Sequence, residues 1–195
     1  MPAQGGGPIS YDAVVRYDPF RHHRRSIRLP GHDYSTPGAY FITICAYGHE
    51  CLFANVIDAK ARLSPYGEIV REEWERSATL RPTITLDAFA VMPNHLHGVV
   101  ALQEDSSVGA HSCAPLRAAH PNAPLQRRTR SVSSFVAQFK ASAARRINAL
   151  RGTRRAPVWQ RNYYEHIIRD EADLERIRFY IQDNPNRWPE DEYHQ

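Results

Sequence analysis

The stretch TITLDAFAVMPNHLHGVVAL, residues 83–102, decides how the chain folds. Ile84, Leu86, Ala88 and Ala90 recur at every second position, the period of a strand with one face turned to a core. Pro93-Asn94 supplies a turn, and HLHGVVAL (95–102) is a second apolar run. The gap between the runs is so short that they pair antiparallel as a hairpin. On the second strand His95, His97, Val99 and Ala101 share one face, and Leu96, Gly98, Val100 and Leu102 share the other. Two imidazoles therefore project side by side from one strand.

Outward from this hairpin the periods alternate. AYFITICA (39–46) is rich in β-branched and aromatic residues and reads as a strand. SPYGEIVREEWERS (64–77) reads as a helix capped by Ser64, with Pro65 in its first turn. SVSSFVAQFKASAARRINALR (131–151) places Phe135, Phe139, Ile147 and Leu150 on one helical stripe. APVWQRNYYEHII (156–168) predicts a strand, and DEADLERIRFYIQDN (170–184) a helix that Pro185 stops. The order β-α-β-β-α-β-α predicts an α+β class: a ferredoxin-like, RRM-like sandwich, an antiparallel sheet with helices on one face.

Residues 1–36 read as an irregular basic extension, 37–188 as the domain, 103–130 as a disordered insertion with Pro115, Pro121 and Pro124, and 189–195 as an acidic tail. No run approaches the roughly 18–20 apolar residues of a membrane span, and the N-terminus has no signal-peptide h-region. Three cysteines without CxxC spacing argue for a reducing cytoplasm and against a disulfide or zinc scaffold. The net charge is only +4, but the basic residues cluster in 21–28, 126–130 and 144–155, which suggests a polyanionic partner. A solvated charged surface is the plainer explanation for any one block.

An HxH on a strand offers two nitrogen ligands from one side, a frequent metal arrangement. Alone, such a pair is more often structural. The last predicted helix adds Tyr180 and Asn184, about 40° apart on its surface beside the stripe of Leu174, Ile177 and Ile181. Read singly, Tyr180 is a residue at the core edge and Asn184 a helix C-cap.

Taken in order, MPNHLHGVV (92–100) and VWQRNYYEHIIRDEADLERIRFYIQDNP (158–185) resemble the single-tyrosine HUH transposases of the IS200/IS605 type, and among them the REP-associated tyrosine transposases. RRSIRLPGHDYSTPGAYFITICA (24–46) resembles the start of such proteins, and the resemblance covers about residues 24–102 and 131–188. It implies that His95 and His97 ligate a divalent metal, Mg²⁺ or Mn²⁺, that Asn184 is a third ligand where related enzymes carry glutamine, and that Tyr180 is the nucleophile. The implied reaction is cleavage and joining of single-stranded DNA at hairpin-bearing repeats through a covalent 5′-phosphotyrosine, by a monomer or homodimer.

Further candidates follow from chemistry. His166 is a candidate to orient a ligand, although a strand histidine satisfied by its neighbours is the commoner case. Tyr163, Tyr164 and Trp159 are candidates to stack bases, with packing in the core an equally good reading. Arg24, Arg25, Lys140, Arg145, Arg146, Arg154 and Arg155 are candidate phosphate contacts. Two rival classes remain: a non-catalytic nucleic-acid-binding domain of the same fold, and a host-adapted transposase with little turnover. A histidine-triad hydrolase would need a third histidine where Val99 stands.

Overall fold

The computed structural model describes residues 33–104, 131–191 and 193. The elements are β1 (Gly38–Cys45), β2 (Ala54–Ile57), β3 (Lys60–Leu63), α1 (Pro65–Thr79), β4 (Ile84–Val91), β5 (His95–Leu102), α2 (Val132–Leu150), β6 (Tyr164–Ile168) and α3 (Glu171–Arg187). One-turn 3-10 helices lie at Tyr47–His49 and Trp188–Glu190. Four strands form one sheet in the order β4-β5-β1-β6, every neighbouring pair antiparallel. This is the predicted α+β sandwich. Arg24, Arg25, Cys113, nearly all of the 1–36 extension and nearly all of the 103–130 segment lie outside the described residues.

Each element begins where its sequence supplies a partner for orphan backbone groups. Ser64 Oγ accepts from the Tyr66 and Gly67 amides, both at 3.2 Å, and donates to the Leu52 carbonyl at 2.6 Å. That cap welds the start of α1 to the segment before β2. Ser131 and Ser134 cap α2 reciprocally. On one face of the sheet, Tyr40, Ile42, Ile44, Leu96, Val100 and Leu102 pack with residues of α1 and α2 in the main core. Trp74 stands edge-on to Phe135 and Phe139, with ring centres 5.3 Å apart in both pairs.

Helix α3 does not join α1 and α2. Its stripe of Leu174, Ile177 and Ile181 packs with Phe41 and Val99 on the opposite face, so the expected placement of all helices on one face is corrected for this helix. The central strands are buried on both faces, a feature the strand period alone does not reveal. A register shift between Leu86 and Phe89 completes the second surface. The bulge flips the phase of β4: Ala88 and Ala90 face α3, while Leu86 and Phe89 stay with the main core. The expected single face of Ile84, Leu86, Ala88 and Ala90 is therefore split. Asp87, at the bulge, holds Arg178 of α3 through Nε at 2.9 Å and Nη2 at 2.6 Å.

Three element boundaries also differ from expectation. Of the predicted strand 156–168, only β6 is regular. Residues 158–160 touch the end of β1 through a lone bridge, Ala46 to Trp159, and Lys140 Nζ donates to the carbonyls of Gln160, Arg161 and Asn162 at 2.5, 3.4 and 3.2 Å. Those carbonyls serve an ammonium rather than a ladder. Helix α3 runs through Pro185 to Arg187, so Asn184 is an interior helical residue and not a C-cap. The β2–β3 hairpin was not expected: its turn residues Asp58 and Ala59 both have positive φ, 52° and 56°, without the glycine that marks such turns.

Candidate active site

His95 and His97 project from β5 onto the α3 face, 0% and 1% exposed, with ring centres 4.4 Å apart. Their Nδ1 sides are held. His95 Nδ1–H donates to Asn94 Oδ1 at 2.9 Å, which leaves Nε2 with a lone pair. His97 Nδ1 shares a 2.8 Å hydrogen bond with Thr43 Oγ1, whose residue lies directly opposite on β1. Both Nε2 atoms are thereby left for the space between β5 and α3.

Helix α3 fills that space. Tyr180 Oη lies 3.3 Å from His97 Nε2, and its ring meets the His97 and Phe41 rings at 5.2 and 6.0 Å. One turn later Asn184 is 1% exposed and donates from Nδ2 to Asp191 Oδ2 at 3.3 Å. Asp191 offers a carboxylate oxygen within 4.8 Å of a ligand nitrogen on each histidine. His95 Nε2 and Asn184 Oδ1 are buried and have no hydrogen-bond partner among the described residues. Two orphaned lone pairs beside a carboxylate are costly in a dry pocket unless a cation receives them. Two imidazoles, an amide oxygen and a carboxylate suit a divalent ion such as Mn²⁺. The residues present therefore fit a divalent metal.

Sequence-predicted residues divide clearly. His95, His97, Tyr180 and Asn184 are brought together. His166 is not with them: its Nε2 meets Asp173 Oδ2 at 2.9 Å near the start of α3. That contact holds the Asp173 carboxyl below its ordinary range. Thr43 and Asn94 do the orienting instead, and no spacing rule pointed to either. Asp191, read as part of an acidic tail, lies against the histidines.

Trp159 is core, its ring tilted against that of Phe53 at 4.9 Å and its Nε1 donating to the Lys140 carbonyl, and Tyr163 donates to Ser133 Oγ at 3.3 Å while packing on the main core. Tyr164 alone of the three is exposed, on the histidine face beside Phe41. Lys140 is engaged by three carbonyls, and burial holds its ammonium down at about 8. Arg146 is tied to Glu72 and Glu73. Both cations thus already meet oxygen atoms of the protein. Arg145, Arg154 and Arg155 are exposed.

Burial pushes the His95 imidazole down to about 4, against the opposing pull of the Asp191 carboxylate and the Asn184 amide. His97 is also held well below its usual value by burial, with the neighbouring His95 adding to the effect. In the unfolded chain both titrate near 6.5. Below that pH the unfolded state binds protons that the folded state refuses, so stability is full above about pH 6.5 and falls as the pH drops toward 4. For the metal-free protein, His95 alone lowers stability by about 2 kcal/mol at pH 5. Urea midpoints at pH 7 and 5 measure this. If His95→Gln leaves the pH slope unchanged, the proton uptake lies elsewhere.

Fold and site together define a class: a ferredoxin-like sheet with a histidine pair on a central strand and a tyrosine and asparagine on the last helix. No family model matches the chain. An uncharacterised protein of Haemophilus influenzae is 39% identical over 179 residues, covering 92% of this chain and 97% of its own. A second protein of that organism, assigned as a REP-associated tyrosine transposase, is 25% identical over 171 residues, 83% of each chain. Among solved structures, a REP-associated tyrosine transposase bound to a REP hairpin superposes with a TM-score of 0.54 at 19% identity, over 82% of this chain and 73% of that one. The chain thus shares its fold with a REP-associated tyrosine transposase and is similar in sequence to a protein assigned as one. No described helix is long and apolar enough to cross a membrane.

Proposed function

We propose that the protein cleaves and rejoins single-stranded DNA at hairpin-bearing repeats, with Tyr180 as nucleophile. The observation that carries this reading is the meeting of Tyr180 Oη with His97 Nε2 beside the orphaned His95 Nε2 and Asn184 Oδ1. A hairpin substrate is supported by the similarity to a protein assigned as a REP-associated tyrosine transposase and by the shared fold of a structure solved with a REP hairpin. A sheet-surface nucleic-acid binder of this fold would need exposed aromatics on its central strands. Here β1 and β5 are central and buried along most of their length on both faces.

His95, His97 and Asn184 would hold a divalent ion, Mg²⁺ or Mn²⁺, which when bound polarises a phosphate and favours phenolate formation. The protein's own part is positioning. Thr43 and Asn94 fix the two imidazole planes. The α3 stripe and the Asp87–Arg178 pair fix the helix that carries Tyr180. The Tyr180 oxygen, its proton released to solvent, forms a bond to phosphorus as the bond to the 3′ oxygen breaks. The products are a 5′-phosphotyrosine and a free 3′-OH. The ester keeps the bond energy, so a second 3′-OH reverses the step and joins strands without ATP. Arg145, Arg154 and Arg155 remain candidates for phosphate contact.

The test is incubation of the chain with labelled single-stranded DNA carrying a hairpin, in Mn²⁺. A covalent protein–DNA species on a denaturing gel is the expected result, and binding without it would reduce the protein to a binding module. Thr43→Val keeps the shape and removes the oxygen that orients His97. It should weaken Mn²⁺ binding by about 10–100-fold, as loss of ligand-orienting groups does. Unchanged affinity on titration would mean that packing alone holds the ring.

A further inference from the structure

We propose that Asp191 is a ligand of the same metal centre, so that the segment after α3 is part of the site rather than a tail. The inference rests on the metal-centre reading above and adds an anionic donor from outside the histidine strand and the tyrosine helix.

The segment is built against the histidines. After α3 the chain makes one 3-10 turn at Trp188–Glu190, whose Trp188 ring is 8% exposed and 6.0 Å from the His95 ring. The Tyr193 amide donates to Asp191 Oδ1 at 2.8 Å, closing a short turn that leaves Oδ2 beside the Asn184 amide. The Tyr193 ring lies 4.8 Å from His95 and stacks on His49 at 5.8 Å with an interplanar angle of 16°. Asn94 joins the two parts: its Oδ1 takes the His95 proton, and its Nδ2 donates to the Tyr193 carbonyl at 2.6 Å. The group that orients the metal-facing histidine therefore also anchors the segment that carries Asp191.

The chemistry of Asp191 points the same way. Among the described residues no lysine or arginine pairs with it. Its carboxylate faces uncharged groups, two buried imidazoles and an amide, and two of these present lone pairs that no donor among the described residues meets. Acceptors converge here and a positive charge is missing. A divalent cation supplies it, and a carboxylate is a common oxygen donor to Mn²⁺ beside imidazoles.

The experiment is a Mn²⁺ titration of the full chain, followed by the paramagnetic signal of the free ion, with hydrogen exchange of the C-terminal peptide as a second readout. Asp191→Asn keeps the shape and the Asn184 neighbour. It should bind Mn²⁺ at least about tenfold more weakly, and a chain truncated after Glu190 should show the same loss. Mn²⁺ should slow exchange in the C-terminal peptide of the parent chain but not of Asp191→Asn. If His95→Ala loses Mn²⁺ while Asp191→Asn and the truncated chain bind as the parent does, the centre stands and Asp191 is not in it. If the parent chain itself binds no Mn²⁺, the metal-centre reading falls and takes this one with it.

Discussion

Tyr180→Phe is expected to abolish the covalent protein–DNA species while leaving DNA binding within about threefold. The change removes one oxygen. The ring keeps its contacts with Phe41 and His97, so the helix stays docked. Loss of a nucleophile commonly costs about 10³-fold or more in rate, far more than any packing effect of one hydroxyl. Denaturing gels with labelled hairpin DNA read the adduct, and gel shifts read the binding. Tyr164→Phe is the informative control, because Tyr164 is the exposed tyrosine on the same face. An adduct that persists in Tyr180→Phe and vanishes in Tyr164→Phe would move the nucleophile from α3 to β6.

Gly67→Ala is expected to cost about 3 kcal/mol or more, the upper end of overpacking effects. A Cβ at position 67 would sit 1.9 Å from the Phe53 carbonyl oxygen and 2.9 Å from its carbon, both backbone atoms that no rotamer change can move. That carbonyl accepts the Ser64 amide at 2.8 Å, and the Phe53 amide donates to the Pro93 carbonyl at 2.8 Å, next to Asn94 and His95. Relief of the clash must therefore part α1 from residue 53 or shift the turn that leads into the site. A melting temperature lower by about 6–12 °C follows for a chain of this size. Gly152→Ala provides the contrast: nothing lies within 4 Å, and only its φ of +67° opposes the change, a cost of about 1 kcal/mol. Equal melting shifts in the two variants would show that the contact at Gly67 yields easily.

What local sequence determined was the kind and order of the elements that carry the site. The 83–102 hairpin, the Ser64 cap and the periods of 131–151 and 170–184 each depend on neighbours within a few residues, and each came out where expected within a turn. His95 with His97, and Tyr180 with Asn184, were legible because a strand and a helix each fix the direction of side chains two or four positions apart. Only the tertiary structure decided which face α3 covers, since β1 and β5 carry apolar residues on both. It also decided the bulge at Asp87, the carbonyls committed to Lys140, and the extension of α3 through Pro185. Asp191, Thr43 and Asn94 were invisible for the same reason. An aspartate in a charged run, a threonine in a strand and an asparagine in a turn look ordinary until distant segments fold over them. Their roles come from contacts between distant strands, a turn and the chain's last residues, and no periodicity encodes such contacts.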